Sequence, residues 1–496
     1  MLVSLEGNGP LNEQLYRGLR RSILGGRFPP GARLPSTREL ATDLRLSRNV
    51  VLMAFDQLVA EGYVEGRVGS GTFVSATLPD AALAPWSARS ADRPPSQRPR
   101  LSSHARRVMA LAPLPPAGAP IRPGLRYDFR YGLPSIADFP QQIWSRVVAR
   151  RSRAVSLRTL RYGRALGYEP LREAIAEYVT RARGVVATPE QVVVVNGTQQ
   201  ALDLVTRLLL DRGDRVVVEE PCYLMARNSF LAAGARLVPV PVDGAGIDVA
   251  KLPRKGGVRL AYVTPSHQFP LGGVLPLSRR LELLRWAAET GAHIVEDDYD
   301  SEFRYEGRPV EAVQGLDRSG RVLYVGTFSK MLFPSLRIGY LVVPESLVPA
   351  AAAVRFMIDY HTSTFEQEVL AEFITEGHFE RHLRRSRARN AARRAALLEA
   401  LDEELGDRVT IAGDNAGIHV VAWLRGIAES RLEAIRVRAA ARDLGIYAIT
   451  PYYLRPPRQA GLLLGYAYPT ERDIRAGIAI LRDILSTAVG ERAKSR

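Results

Sequence analysis

Short apolar runs that recur between helical stretches, from about Asp128 onward, constrain the fold of this chain more than any other feature. The runs lie at Val192–Val195, Val216–Val218, Leu237–Val242, Leu260–Val263, His293–Val295 and Leu323–Val325. Continuous apolar runs that alternate with helices are typical of parallel strands whose sheet is covered on both faces. We therefore predict an α/β domain built on a large parallel sheet, over residues 127–490.

The residues that precede this domain fall into two further regions. Residues 8–76 alternate short helical patterns with turns, whereas residues 77–126 are rich in Pro, Ala, Ser and Arg and show little apolar periodicity. A flexible coil of about 48 residues would span roughly 40 Å, enough to reach a neighbouring subunit. The sequence thus predicts a small N-terminal domain, a basic linker and a large C-terminal domain.

Charge, hydropathy and cysteine usage favour some classes of protein over others. The formal net charge of +16 favours a polyanionic partner, with nucleic acid as the first candidate. No apolar run approaches the roughly 18 residues that span a bilayer, and no secretory signal is evident. The single cysteine, Cys222, fits a reducing compartment. We expect a cytoplasmic protein with no membrane contact and, because no Cys/His cluster has metal spacing, no metal site.

Residues 8–76 carry the signals of a helix-turn-helix followed by a wing. A capping box of Ser36 and Glu39 starts a second helix, and Ser47 is the predicted N-cap of a third. Tyr63–Val74 reads as a β-hairpin around a glycine-rich tip. The later helix of such a pair enters the DNA major groove with its N-terminus first. Three consecutive residues would then lie nearest DNA: Ser47, Arg48 and Asn49.

One lysine stands where Schiff-base chemistry is expected. The chain has only four lysines among 68 basic residues, and Lys330 lies just beyond the apolar run that ends at Val325. Open α/β sheets bind ligands at the ends of their strands. A lysine amine can lose its proton in a desolvated pocket and form a Schiff base, whereas arginine stays charged. A surface lysine in a loop is the alternative interpretation.

Three other strand ends carry groups that suit the same cofactor. Gly197 and Thr198 begin a helix, where backbone N–H groups and a hydroxyl form an anion cup for a phosphate. Tyr223 follows the next strand and can stack on a flat heterocycle. Asp297 and Tyr299 share one side of a strand end, where they would hold a pyridinium nitrogen and a ring oxygen. The alternative for each acid is a structural cap or an ion pair.

Several motifs spread along the chain are together specific for one protein family. They are Leu34-Pro35-Ser36-x-Arg38-x-Leu40-Ala41, Gly69-Ser70-Gly71-Thr72-Phe73-Val74, Glu296-Asp297-Asp298-Tyr299, Gly326-Thr327-Phe328-Ser329-Lys330 and Asn415-Ala416-Gly417-Ile418-His419. On these residues the chain resembles the MocR/GabR-type regulators. In that family a GntR-type winged helix-turn-helix is fused to a fold-type I aminotransferase-like domain that binds pyridoxal 5′-phosphate. The domain combines a large α/β subdomain with a smaller α+β subdomain.

The resemblance implies roles for individual residues. It implies Lys330 as the internal aldimine, Asp297 on the pyridine nitrogen, Tyr299 on the ring hydroxyl and Tyr223 stacked on the ring. The full predicted cofactor site is Gly197, Thr198, Gln199, Tyr223, His267, Asp297, Tyr299, Thr327, Ser329, Lys330 and Arg337. The predicted DNA contacts are Ser36, Thr37, Arg38, Ser47, Arg48, Asn49, Arg67, Gly69 and Ser70.

The resemblance also implies partners and an activity. Members are typically head-to-tail homodimers in which each winged helix crosses to the partner's large domain, so we expect an operator with two half-sites. Members that respond to γ-aminobutyrate bind its carboxylate with two arginines, and those positions correspond here to Met225 and Pro451. Arg455 and Arg458 are candidates to replace them.

We therefore expect a regulator that senses pyridoxal phosphate or an amine, with at most vestigial transaminase activity. The alternatives are an active aminotransferase with an appended DNA-binding domain, and a DNA-binding protein whose fused domain is only a dimerisation scaffold.

Overall fold

The computed structural model describes residues 3–5, 8–67, 69–79, 100–111, 124–157, 159–306 and 310–493. The chain forms two compact units, Met1–Arg100 and Leu101–Arg496. Among the described helices, none combines the length and the apolar character that crossing a membrane requires.

The N-terminal unit is a three-helix bundle with a β-hairpin. Its elements are α1 (Leu11–Leu24), α2 (Thr37–Leu44), α3 (Arg48–Ala60), β1 (Val64–Arg67) and β2 (Gly71–Val74). One apolar face from each helix meets in a core that includes Leu19, Leu40 and Phe55. The hairpin is antiparallel, with Val64 opposite Val74. The predicted winged helix-turn-helix is thus present.

Local polar contacts set the helix starts of this unit. The Glu39 N–H donates to Ser36 Oγ over 3.2 Å, and the Ser36 N–H donates to Glu39 Oε2 over 2.8 Å. This reciprocal pair is the predicted capping box. At the third helix, Ser47 Oγ accepts from the Val50 N–H over 3.3 Å. Arg45 occupies the left-handed region with φ 53° and ends α2, which turns the chain sharply toward α3.

The C-terminal unit is built on an eight-stranded sheet in the order β4-β11-β10-β9-β8-β5-β6-β7. The strands are β4 (Val192–Val195), β5 (Arg215–Glu220), β6 (Arg236–Asp243), β7 (Gly246–Ile247), β8 (Val258–Val263), β9 (His293–Asp298), β10 (Val322–Thr327) and β11 (Gly339–Val342). Four neighbouring pairs are parallel, and β11 runs antiparallel to both β10 and β4. The sheet is mixed and mostly parallel, so the expected parallel sheet has one reversed strand in its interior.

Helices cover both faces of this sheet and continue into a smaller subdomain. They are α4 (Ser103–Leu111), α5 (Gln141–Arg153), α6 (Glu169–Arg183), α7 (Thr198–Leu209), α8 (Leu224–Ala233), α9 (Leu277–Thr290), α10 (Val313–Leu316), α11 (Val348–Asp359), α12 (Thr364–Thr375), α13 (His378–Leu405), α14 (Leu432–Ala441) and α15 (Glu471–Ala493). Two apolar clusters, around Val194 and Phe328 and around Val217 and Trp286, lie on one face of the sheet, and a third, around Val193 and Val218, lies on the other.

The smaller subdomain pairs helices with an antiparallel sheet. The sheet has the order β12-β13-β16-β15, from β12 (Val409–Ala412), β13 (His419–Ala428), β15 (Tyr447–Ala448) and β16 (Gln459–Gly465). Two short strands, β3 (Tyr127–Asp128) and β14 (Leu444–Gly445), form a parallel pair beside it. The shared core contains Leu401, Leu462 and Ile478.

Part of the segment predicted as a linker has regular structure. Helix α4 lies inside residues 77–126 and packs on α8, where Arg107 Nε donates to the Ala232 carbonyl over 2.8 Å. The coil estimate is therefore wrong for these residues, because α4 docks on the large unit. Much of the rest of the segment, residues 80–99 and 112–123, lies outside the described residues.

Candidate cofactor site and DNA-binding surface

The carboxyl ends of the parallel strands meet at one edge of the large sheet and surround a cavity of about 360 Å³. This placement follows from topology, because parallel neighbours end at the same edge. Of the predicted cofactor residues, all except Gly197 and His267 line the cavity.

Asp297 contributes a buried carboxylate with one oxygen free. Tyr262, the penultimate residue of the adjacent strand β8, donates its hydroxyl to Asp297 Oδ2 over 2.7 Å. Asp297 Oδ1 is buried and has no hydrogen-bond partner among the described residues. Burial raises the pKa of Asp297 to about 7. A buried acceptor without a donor is costly, so this oxygen fits a ligand that brings a protonated nitrogen.

Lys330 faces the same cavity from the loop after β10. Its Nζ donates to the Gly132 carbonyl over 2.6 Å. Burial lowers the pKa of the Lys330 amine, and the charges of Asp300 and Asp297 oppose that effect. Gly132 has φ 74°, and a Cβ there would lie 2.9 Å from Nζ, so the close approach requires glycine. The lowered pKa favours the neutral amine that Schiff-base formation needs.

The start of α7 and the loop before β11 form the end of the cavity suited to a phosphate. Gly197 has φ 82° and precedes α7, whose first residue Thr198 lines the cavity. Arg337 donates from Nη2 to the Asn196 carbonyl over 2.6 Å. A Cβ on Gly197 would lie 3.1–3.2 Å from the Arg337 guanidinium, so glycine lets the cation approach the helix start.

Gln199, Thr327 and Ser329 complete that end. All three line the cavity, and Thr327 Oγ1 accepts from the Ser329 N–H over 3.2 Å. Helix-start N–H groups, hydroxyls and a guanidinium are the donors that phosphates take up in proteins. The donor set therefore fits a phosphorylated ring whose nitrogen reaches Asp297, and pyridoxal 5′-phosphate is such a ring.

Aromatic side chains form the remaining wall. Tyr223 lies at the start of α8 and makes an edge contact with Phe269, with 5.7 Å between ring centroids. Tyr131 and Tyr452 also line the cavity, and their hydroxyls hydrogen-bond to each other. Tyr223 thus lies where it was predicted, beside three rings that were not.

His267 lies behind Tyr299 rather than at the cavity wall. The Tyr299 hydroxyl and His267 Nδ1 are 3.0 Å apart, and Nδ1 is also 3.1 Å from both oxygens of Asp300. Phe269, two residues later, takes the place at the wall. The observed contacts of His267, in the loop after β8, are with Tyr299 and Asp300, and its direct contact with a cofactor stays a prediction.

A second histidine lies beside this pair. His267, Asp300 and His419 are all buried and offer ligand atoms within 4.8 Å of one another, an arrangement that could hold a metal ion. Existing hydrogen bonds occupy part of the set, since His419 Nε2 lies 3.1 Å from the Pro270 carbonyl. Burial lowers the pKa of His419 to about 3, so its ring is neutral at the cavity.

A buried ion pair holds the strand that carries Asp297. Arg183 Nε donates to Asp298 Oδ2 over 2.7 Å, and Tyr324 donates to the same oxygen over 2.6 Å. Burial alone would raise the pKa of Asp298, but the Arg183 guanidinium and these hydrogen bonds lower it. On the other side, Glu296 accepts from the backbone N–H groups of Val313 and Gln314. The contacts of Glu296 and Asp298, the two residues that flank Asp297, thus hold its backbone in place.

Most predicted DNA-contacting residues lie on the surface of the N-terminal unit. Thr37 is half-buried, and the other eight are exposed: Ser36, Arg38, Ser47, Arg48, Asn49, Arg67, Gly69 and Ser70. The hydroxyl oxygens of Ser36 and Ser47 accept backbone N–H groups as helix caps. The hydroxyl protons of both serines can therefore still donate to a phosphate.

Arg67 is exposed but already engaged. Its guanidinium donates to Glu65 Oε1 over 2.7 Å and lies over the Phe73 ring at 4.7 Å from the centroid. A DNA contact by Arg67 requires the Glu65 pair to open, an exchange that costs little for an exposed pair.

Three wall residues, Tyr131, Tyr262 and Tyr452, carry no strand-end motif and could not be predicted from the sequence. Tyr262 sits within an apolar strand, and Tyr131 with Gly132 belongs to a segment before the first large helix. Tyr452 follows Pro451 in a short 3-10 turn. The only available signal was the glycine at position 132, in a Tyr-Gly-x-Pro turn.

Two protein families match separate parts of the chain. The family "Bacterial regulatory proteins, gntR family" matches residues 11–74. The family "Aminotransferase class I and II" matches residues 139–472. These ranges coincide with the winged helix and with most of the unit that contains the cavity.

Curated relatives extend over nearly the whole chain. A probable rhizopine catabolism regulatory protein, MocR of Rhizobium meliloti, is 42% identical over 482 residues, covering 97% of this chain and 95% of its own. The pyridoxine biosynthesis transcriptional regulator PdxR of Corynebacterium glutamicum is 30% identical, covering 95% of each chain.

Among solved structures, α-aminoadipate aminotransferase LysN of Thermus thermophilus, complexed with N-(5′-phosphopyridoxyl)-L-leucine, is similar with TM-score 0.70 and 30% identity, covering 79% of this chain and 98% of its own. Kynurenine aminotransferase of Pyrococcus horikoshii, in complex with PMP, has TM-score 0.67 and 28% identity, covering 78% of this chain and 95% of its own.

Proposed function

The chain belongs to the MocR family of transcriptional regulators, and from that premise we propose that it binds pyridoxal 5′-phosphate at Lys330 and adjusts its affinity for operator DNA to an amine or a B6 vitamer. The observation that carries this proposal is the buried Asp297 oxygen without a donor, in one cavity with the Lys330 amine. A cofactor with a protonated ring nitrogen would supply the donor that this buried oxygen lacks.

The residues that would hold the cofactor follow from the donor set. Thr198, Thr327, Ser329 and Arg337 would bind the phosphate, and Asp297 would pair with the ring nitrogen. When bound, pyridoxal 5′-phosphate supplies an aldehyde that joins reversibly to primary amines and a ring that withdraws electrons.

A hydrogen bond of Lys330 would couple cofactor binding to a neighbouring segment of the large unit. The Lys330 amine donates to the carbonyl of Gly132, between Tyr131 and Leu133, which also line the cavity. Loss of that hydrogen bond would free this segment. A ligand that favours one of two arrangements of the large unit shifts their populations by its difference in affinity.

DNA binding belongs to the N-terminal unit. The exposed start of α3 offers Ser47, Arg48 and Asn49, and the hairpin offers Gly69 and Ser70. A helix of this kind reads bases from its N-terminal residues, and dimers place two such helices on two half-sites.

A homodimer is supported by an exposed aromatic patch on the large unit, which consists of Leu160, Tyr162, Phe356, Met357 and Tyr360. The rings of Tyr162 and Tyr360 stack at 5.5 Å, and Met357 and Tyr162 are 82% and 85% exposed. Contiguous apolar surface of this kind marks a protein interface. The patch lies near the cofactor end of the cavity, since Asp359 accepts from Gln200 of α7.

The two relatives leave two effector classes open. The printed name of PdxR refers to pyridoxine biosynthesis and that of MocR to rhizopine catabolism. Response to the vitamer alone and response to a separate amine are both compatible with the cavity.

The decisive test is the visible absorption spectrum of the full-length protein after addition of pyridoxal 5′-phosphate, compared with Lys330→Ala. We expect a protein-dependent band that Lys330→Ala abolishes, and an operator affinity that changes with the cofactor or an added amine. Lys251→Ala is a matched control, because Lys251 is exposed and pairs with Asp248. Absence of the band from the wild-type protein rejects the proposal.

An active aminotransferase is the second candidate, since Asp297, Tyr299 and Lys330 are all in place. Multiple-turnover release of a keto acid from an amino acid would support it. A regulator instead shows the spectral response without such turnover.

A further inference from the structure

Few charged side chains line the cavity. Among the described residues that line it, the cations are Lys330 and Arg337 and the acid is Asp297. The proposed function assigns all three to the cofactor. His419 is neutral, because burial lowers its pKa to about 3. Among the described residues, the space left for an effector therefore has no positive group to pair with an anion.

The rest of the wall is aromatic and uncharged. Tyr131, Tyr223, Phe269 and Tyr452 contribute rings, and Met225 contributes an unbranched apolar side chain at 39% exposure. Tyr131 and Tyr452 use their hydroxyls on each other, and the Tyr223 hydroxyl makes no hydrogen bond to a described residue. Such a wall can contact alkyl or aryl groups and can hydrogen-bond to a ligand hydroxyl through Tyr223.

The arginines near this wall are committed elsewhere or point away. Arg227 of α8 is buried, and its guanidinium donates to the carbonyls of Tyr453 and Pro451, each over 3.1 Å. Arg227 thereby holds the turn that presents Tyr452 to the cavity. Arg455 and Arg458 are exposed and do not line the cavity. The predicted substitutes for a carboxylate-binding arginine are therefore absent from the wall.

A carboxylate placed against this wall would lose its water without gaining a cation. Desolvating an unpaired ion is strongly unfavourable, whereas an uncharged group loses little. We infer that the effector is a primary amine whose remaining groups are uncharged, an alkyl, aryl or hydroxyl-bearing body without a carboxylate or other anion. This inference rests on the proposed function and specifies the ligand class of the same cavity.

The experiment compares three probes that share a four-carbon chain and a terminal amine: butylamine, 4-amino-1-butanol and 4-aminobutyrate. Each is titrated into the full-length protein loaded with pyridoxal 5′-phosphate, and the change in absorption gives its Kd. We expect the two uncharged-body amines to bind at least about 10-fold more tightly than 4-aminobutyrate, a difference of about 1.4 kcal/mol. The same order is expected when operator affinity is the readout.

A charge-adding variant tests the cause. Met225→Arg introduces a guanidinium on a longer unbranched side chain, at a partly exposed position that lines the cavity. We expect it to strengthen binding of 4-aminobutyrate by about 10-fold, because an ion pair at a half-exposed site is partly screened, and to leave butylamine no tighter. Val437→Arg, on the exposed face of α14, is the matched control and should change neither Kd.

The outcomes distinguish failure of the predicted ligand class from failure of the proposed cofactor binding. A cofactor band together with equal or tighter binding of 4-aminobutyrate by the wild-type protein overturns the ligand class alone, and indicates a cation supplied by another subunit. Absence of any cofactor band overturns the proposed function and this inference together. Tighter binding of the uncharged-body amines, with reversal in Met225→Arg, supports both.

Discussion

At the scale of single residues, Asp297 combines a functional position with a cost to stability. Its ordinary pKa of 3.8 is raised to about 7 by burial, so the folded protein retains a proton that the unfolded chain releases. Its contribution to stability therefore falls as pH rises from about 4 to about 7, and the full penalty is present above that window. Asp297 is destabilising at neutral pH unless a cation pairs with it.

We therefore predict opposite effects of Asp297→Asn on stability and on cofactor affinity. The cofactor-free variant should be more stable than the wild type at pH 8 by about 1–2 kcal/mol, with little difference at pH 4. Its affinity for pyridoxal 5′-phosphate should fall roughly 100-fold, because a buried pair loses one partner. Thermal unfolding at both pH values and equilibrium titration measure the two effects. Lower stability of the variant at pH 8 would contradict the assignment.

Only some of the residues that line the cavity could be predicted from the sequence. The placement of Lys330, Asp297 and Tyr223 could be predicted because each lies at or just after the end of a strand. Phe269 and Tyr262 could not, because Phe269 lies in the loop after β8 and the role of Tyr262 depends on how its strand aligns with β9, where it pairs with Val295. The contact of His267 with Tyr299 rather than with the cavity depends on side-chain direction, which residue spacing does not fix.

At the scale of elements, the start of α3 has a structural role and a proposed DNA-binding role at one residue. Ser47→Ala removes the cap on the Val50 N–H and should destabilise the N-terminal unit by about 1 kcal/mol. Ser47→Asp keeps a good cap but places a negative charge beside DNA phosphates.

We thus expect Ser47→Asp to unfold at the wild-type temperature yet bind DNA more weakly than Ser47→Ala. Fluorescence anisotropy with DNA from upstream of the gene, beside thermal unfolding of the full chain, measures both. Arg48→Ala should also weaken binding, by about 1–3 kcal/mol. If Ser47→Asp bound DNA as tightly as the wild type, α3 would not present its start to the phosphates.

One strand of the large sheet, β11, could not be predicted from the pattern of apolar runs. Every predicted apolar run lies within an observed strand, but β11 was not foreseen as a strand. It is short and follows a loop rather than a helix, and its reversed direction is set only by pairing with β10 and β4.

At the scale of the whole molecule, the exposed aromatic patch predicts assembly. Met357→Asp introduces a charge into this apolar surface and should shift the protein from dimer toward monomer in sedimentation equilibrium. Val437→Asp, at a half-exposed position on α14, should leave the dimer intact. Loss of the dimer should also weaken binding to DNA with two half-sites while sparing a single half-site. A dimer that persists in Met357→Asp would place the interface elsewhere.

The reversed strand has one more consequence. Because β10 and β11 are antiparallel neighbours, with Thr327 opposite Gly339, the connection between them carries both Lys330 and Arg337. The two positive groups of the cavity thus lie in one short loop, residues 328–338. We expect that replacing this loop alone would remove both proposed cofactor cations while Asp297 and the strands of the sheet stay in place, so change in one short stretch of the gene would be enough to abolish the proposed cofactor binding.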